Sequence, residues 1–211
     1  PHVILDDRLD LPDGWDVKTP EQVQPREWVT VNGKPVVWEA CQTLSGSWGY
    51  HRDEASFRST ENLIETLIDC VSKGGNLLLN VGPTARGEFD ERALERLNGI
   101  GTWMRRHSRS IYGCTQAPAE FKTPDGCRLT YNPDTKRLYV HCFVWPYKHL
   151  HCDGFGGKVK YAQLLNDGSE VGIKMDEWHA KQLGLATDAI TITLPQVKPN
   201  VTVPVIELFL E

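Results

Sequence analysis

The run NLLLNVG at residues 76–82 constrains the chain more than any other feature. An uninterrupted apolar strand of this kind is expected in a parallel sheet covered on both faces. The residues before it read as a helix. Ser59 or Thr60 is the N-cap, and Leu63, Ile64, Leu67, Ile68 and Val71 share one face. Gly74-Gly75 ends that helix, as a left-handed terminus requires. A second helix is predicted over 90–107, with Ala93, Leu94, Leu97, Ile100, Trp103 and Met104 facing inward. Gly99 and Gly101 weaken it, which points to close packing against a neighbour. Upstream, HVILDD (2–7) and VVWEA (36–40) read as two more strands, the first of them buried. The β-α-β-α order implies a parallel sheet with helical crossovers. Three strands and two helices fall well short of a complete (β/α)8 barrel, which takes roughly 250 residues.

After Tyr112-Gly113 the pattern changes. CRLTYN (127–132), RLYVHCF (137–143), VKYAQLL (159–165), AITITL (189–194) and VPVIELFL (203–210) are β-rich and separated by polar turns. NPDT (132–135) is a hairpin signal. The expected fold class is therefore α/β followed by all-β, with an α/β domain over 1–113 and an antiparallel β-sandwich over 114–211.

A net charge of -5 and a pI near 5.8 argue against nucleic acid or an anionic membrane surface as the main partner. No apolar run reaches the roughly 20 residues of a membrane-spanning helix. The first residue is Pro1 rather than Met, which reads as a start inside a longer gene product. The six cysteines, at 41, 70, 114, 127, 142 and 152, do not resemble a disulfide scaffold. Cys41, Cys70 and Cys142 lie in apolar patterns and are expected as small hydrophobes. Asn200-Val201-Thr202 is a glycosylation sequon, meaningful only in a secreted eukaryotic chain.

Glu39 is the sharpest chemical candidate. It follows Val36-Val37-Trp38 and is expected at the C-terminal end of a parallel strand, where barrel enzymes carry their catalytic groups. A carboxyl beside an indole loses solvation, which favours a working general acid; the alternative is a strand-end salt bridge. Trp48, on the following loop, offers a flat apolar face. Arg8, in Asp6-Asp7-Arg8, could fork onto sugar hydroxyls or a carboxylate, or form a structural ion pair. Glu21, in KTPEQ, is expected on a loop, where most glutamates are solvated. His149, His151 and Cys152 could ligate zinc, but the two imidazoles are expected on opposite sides of a strand, and no second ligand cluster is evident. No metal or cofactor is expected. There is no phosphate loop, because the glycines of SKGGNLLLNVGP precede the strand, and there is no nucleophile elbow.

The blocks PVVWEACQTLSGSWGYH, LIDCVSKGGNLLLNVGPTARGEF and RSIYG, with DDRLDLPDGWDVKTPEQ upstream, together resemble family 29 glycoside hydrolases, the α-L-fucosidases. The resemblance covers residues 1 to about 113. It implies the C-terminal part of a (β/α)8-like barrel, followed by that family's β-sandwich. It also implies retaining removal of terminal α-L-fucose, with the Asp nucleophile on strands preceding Pro1. Arg8 matches a fucose-contacting arginine and Trp48 a pocket-lining aromatic. Glu39 matches the acid/base of some members and is favoured; Glu21 matches the position used in others and is held in reserve. The implied partners are a fucosylated glycan or oligosaccharide and the remainder of the barrel, in the same gene product or a partner chain. A homo-oligomer is compatible with the family. A secreted, periplasmic or lysosomal location would follow if an N-terminal part carries a signal. The rival reading is a non-catalytic carbohydrate-binding fragment centred on the sandwich.

Overall fold

The computed structural model describes residues 3–10, 12–175 and 181–211. The chain divides into two compact units, Pro1–Thr102 and Trp103–Glu211.

The first unit begins with a 3-10 turn, Asp7–Leu9. A small hairpin follows, β1 (Thr30–Val31) and β2 (Lys34–Pro35), closed over Asn32-Gly33 with both residues at positive φ. Then come β3 (Glu39–Thr43), helix α1 (Thr60–Val71), β4 (Asn76–Asn80) and helix α2 (Glu91–His107), whose last residues belong to the second unit. Strands β3 and β4 pair in parallel, with Glu39 opposite Asn76 and Thr43 opposite Asn80. Isolated parallel bridges extend the array, Lys18 to Trp38, Glu21 to Cys41 and Asp6 to Val17. Four extended segments thus lie side by side in one direction, where the sequence had predicted three. The extra one is KTPE at residues 18–21, expected as a loop. Its Pro20 keeps its place because its carbonyl accepts from Cys41 N at 3.0 Å, while the missing N–H is not needed there.

Several expectations need correction. HVILDD is not a buried strand: Val3 and Ile4 are each 74% exposed, and of the described residues 3–7 only Asp6 forms a bridge. His2 lies outside the described residues. An apolar β-prone run stays unpaired when no sheet neighbour receives it. The β3 ladder opens at Glu39, whereas VVWEA was expected to close there. Strand β4 is covered on one face only, with Leu78 51% exposed. Leu94 of α2, expected inward, is exposed. Gly99 does pack as expected, since a Cβ there would stand 2.6 Å from the Thr60 methyl.

Helix α1 is capped by Ser59, whose hydroxyl accepts from Asn62 N at 3.1 Å. Past the C-cap Ser72 the chain turns away at Gly74, φ 71°, with Gly75 N reaching back to Cys70 O at 2.9 Å.

After its opening helical residues, the described strands of the second unit pair antiparallel throughout. It contains β5 (Thr115–Gln116), β6 (Cys127–Asn132), β7 (Arg137–Cys142), β8 (His149–Cys152), β9 (Val159–Leu164), β10 (Gly172–Lys174), β11 (Ile190–Thr193) and β12 (Val205–Leu210). One sheet has the order β5-β6-β7-β12-β9 and the other β10-β11-β8. Leu138 and Val140 of the first sheet share one core with Leu150, Ile190 and Ile192 of the second, the arrangement of a sandwich. The NPDT turn joins β6 to β7 as expected, with Asn132 Oδ1 accepting from Asp134 N and Thr135 N at 3.1 Å each. All six cysteines are free thiols. His149 and His151 lie on the same side of β8, ring centroids 6.5 Å apart, because residues two apart share a face. The described residues bring no third metal-ligating group to them.

Candidate active site

Along β3 the side chains alternate. Trp38, Ala40 and Cys70 of α1 form a buried cluster on one face. Glu39 and Cys41 face the other way, into an open concavity of about 350 Å³. Its walls are Asp6, Arg8, Thr19, Glu21, Glu39, Cys41, Trp48 and Leu78, all within the first unit. That volume lies within the roughly 300–1,000 Å³ range of small-molecule sites. The four residues singled out from the sequence, Arg8, Glu21, Glu39 and Trp48, thus share one site.

Three details differ from expectation. Trp38, the indole next to Glu39 in sequence, lies on the opposite face and cannot desolvate its carboxyl; the indole sharing the concavity is Trp48. Glu39 begins its strand, whereas Glu21 is level with Cys41, two residues further along. Cys41 lines the concavity and is not a core residue.

The polar groups are tightly organised. Asp6 Oδ1 accepts from Arg8 N at 3.0 Å and fixes the turn that launches the Arg8 side chain. Arg8 Nε donates to Thr19 Oγ1 and Nη2 to Thr19 O, each at 2.8 Å, while Nη1 is paired with Glu21. The Glu21 carboxylate raises the Arg8 pKa further above its already high value. Asp7 accepts from Thr19 N at 2.9 Å, Thr19 Oγ1 at 2.8 Å and Lys18 Nζ at 3.0 Å. Burial opposes ionisation of Asp7, but these bonds outweigh it and hold the carboxyl below its ordinary range. No side-chain hydrogen bond or ion pair engages Glu39 among the described residues.

Trp48 rides on a braced loop. Asn80 Nδ2 donates to Trp48 O at 2.6 Å, and Gly82 approaches the loop so closely that a Cβ there would stand 2.5 Å from Tyr50 N. Glu54 closes the loop from the other side, accepting from Ser47 Oγ at 2.9 Å, Ser56 N at 2.8 Å and Ser56 Oγ at 2.6 Å. The Ser56 bonds lead in lowering its pKa to about 2. Glu54→Gln is expected to loosen this loop and raise amide hydrogen exchange over residues 46–56 severalfold. Unchanged exchange in the variant would show that Glu54 does not brace the loop that carries Trp48.

Asp7, Thr19, Cys41 and Leu78 were missed by sequence reasoning. For Thr19 and Glu21 a signal existed, since their spacing of two puts both on one face of an extended segment.

Comparison with known proteins bears on this geometry. The Alpha-L-fucosidase family model matches residues 1–109. The chain is 29% identical over 178 residues to an alpha-L-fucosidase of Dictyostelium discoideum, covering 82% of this chain and 37% of that protein. Among solved structures, alpha-L-fucosidase isoenzyme 1 from Paenibacillus thiaminolyticus superposes with a TM-score of 0.83 at 38% identity, over 93% of this chain and 45% of that one. An alpha-L-fucosidase from Bacteroides thetaiotaomicron, solved as a trapped covalent intermediate, gives a TM-score of 0.77 at 25% identity, over 93% of this chain and 43% of that one. The chain spans about a third of the length of the curated relatives it matches.

Proposed function

The chain belongs to the alpha-L-fucosidase family, and on that ground we propose that it forms part of a retaining glycosidase that releases terminal α-L-fucose from glycans. The observation that carries this reading is the convergence of Arg8, Glu21, Glu39 and Trp48 on one concavity. Such mixed walls suit a hexose: charged groups for its hydroxyls, and flat apolar surface for its C–H faces. Fucose, a 6-deoxy sugar, also carries a methyl group, and Leu78 and Trp48 supply apolar surface beside the charged residues.

In the proposed protein the first unit is the C-terminal part of a (β/α)8-like barrel, and the second its sandwich. The nucleophile comes from the remaining staves of the barrel, in the same gene product or in a partner chain. Retention requires two carboxyls roughly 5–5.5 Å apart, one attacking the anomeric carbon and one protonating the leaving oxygen. The covalent intermediate trapped in the Bacteroides relative supports that course. Glu39 is the proposed general acid. It is free to exchange a proton with the leaving oxygen, whereas Glu21 is committed to Arg8. One observation favours Glu21 in that role: it stands further toward the C-terminal end of the array, where barrel enzymes place their chemistry.

The test is turnover of an aryl α-L-fucoside by the full-length protein. Wild type should hydrolyse it, and Arg8→Ala should lower kcat/KM by about a hundredfold, the order expected for loss of a charged positioning contact. Fucose binding without turnover would replace this reading by a non-catalytic carbohydrate-binding protein.

A further inference from the structure

We propose that Thr19, held by Asp7, is the residue that aims Arg8 at the substrate, an inference that rests on the fucosidase reading of the site. The argument is one of hydrogen-bond polarity. An ionised carboxylate only accepts, so Asp7 Oδ1 must take the proton of the Thr19 hydroxyl, 2.8 Å away. That leaves the hydroxyl lone pairs directed elsewhere, and Arg8 Nε lies 2.8 Å from the same oxygen. Arg8 Nη2 meets the carbonyl of the same residue at 2.8 Å. One edge of the planar guanidinium is therefore clamped on a single residue at two points. A two-point contact fixes the plane of the group as well as its position.

Thr19 is itself held from two directions. Its N–H and hydroxyl both donate to Asp7 Oδ1, and Lys18 Nζ, 3.0 Å from Asp7 Oδ2, keeps that carboxylate charged and oriented. With Nη1 engaged by Glu21, three of the five N–H donors of Arg8 are occupied. The two that remain lie on a group whose orientation is set before any ligand arrives, and they serve neighbouring sugar oxygens. The chain Lys18–Asp7–Thr19–Arg8 thus runs from the support of the site to its substrate face. Thr19 is a positioning residue, acting through Arg8.

The experiment is a double-mutant cycle in the full-length protein, read as kcat/KM on an aryl α-L-fucoside. Thr19→Val keeps the shape and removes both roles of the hydroxyl; it should lower kcat/KM by about tenfold or more, chiefly through KM. Thr19→Ser restores the hydroxyl and should recover activity to within about threefold. In an Arg8→Ala background, Thr19→Val should have almost no further effect, because the group it aims is gone. A purely structural role would leave the two losses multiplicative, and that result overturns the proposal, as does an unchanged kcat/KM in Thr19→Val alone. Should Thr19→Val fail to fold, Thr19→Ala is read in the same cycle. Failure of the underlying reading has a different signature: Arg8→Ala itself would leave fucoside turnover untouched.

Discussion

Glu39→Gln in the full-length protein is expected to reduce hydrolysis of a fucoside with a sugar leaving group by about a thousandfold, within the 10²–10⁴ range for loss of a general acid. The same change should leave formation of the fucosyl intermediate from an activated aryl fucoside nearly unaffected. The asymmetry follows from the chemistry. A sugar alkoxide is a poor leaving group and needs a proton as the bond breaks, whereas an activated phenolate departs without one. Glu21→Gln is expected to behave otherwise. It removes the carboxylate paired with Arg8, so both substrates should lose activity by similar factors. The pair of variants also separates the two assignments. If Glu21→Gln shows the leaving-group asymmetry and Glu39→Gln does not, the acid is Glu21, as its place further along the parallel array would favour. Single-turnover measurement of the first step on both substrates is the deciding readout, because deglycosylation can mask it in the steady state.

The sandwich was the more legible half in the sequence. CRLTYN and RLYVHCF alternate clearly and are joined by a turn whose Asn132 side chain caps its own backbone. The strands that went unassigned, Thr115–Gln116, His149–Cys152 and Gly172–Lys174, are too short for periodicity to register. In the first unit the Asn32-Gly33 hairpin carried a strong local signal that the surrounding apolar runs obscured. Val3 and Ile4 show the opposite failure: their β propensity led to the expectation of a buried strand, but pairing and burial both depend on a neighbour that sequence pattern does not reveal. Glu39 illustrates the limit on reading a site. Its facing could be derived from period two once the strand was placed, but the expected strand ended where the real one begins. That single shift of register reversed which end of the strand it occupies, and adjacency to Trp38 was mistaken for contact. Thr19 was hidden by Pro20, which made an extended segment look like a loop.

Acidification from pH 7.5 to 5 is expected to weaken the second unit by about 2 kcal/mol through His141 alone. His141 projects from the sheet face opposite the core residues Leu138 and Val140, and it is completely buried. Thr130 Oγ1 donates to Ser110 O at 2.7 Å, so the 2.9 Å contact between that oxygen and His141 Nε2 must have the imidazole as donor. Among the described residues His141 Nδ1 is then a bare acceptor with no hydrogen-bond partner. A proton placed there would bring a charge and an N–H that no described group receives. Burial, and secondarily the neighbouring His107, lower the His141 pKa to about 3. His107 repeats the pattern: its Nδ1 contacts Trp103 O at 2.8 Å, its Nε2 has no partner among the described residues, and its ring stacks on Trp103 at 4.8 Å. Burial lowers its pKa as well, with Arg106 and Arg109 acting in the same direction. The sign is unambiguous. Below the ordinary value of 6.5 the unfolded chain takes up protons that the folded unit refuses, so stability falls with pH until the folded value is reached. Carboxylates contribute in a lower window: Glu54 stabilises above its ordinary 4.5 and loses that contribution as pH falls toward about 2. The interval from pH 7.5 to 5 therefore isolates the histidines. Urea unfolding at the two pH values, in wild type and in His141→Gln, measures the effect. Glutamine keeps a donor for Thr130 and does not titrate, so the variant should lose markedly less stability on acidification. Equal losses in the two proteins would mean that water or rearrangement accommodates the His141 charge in the folded unit.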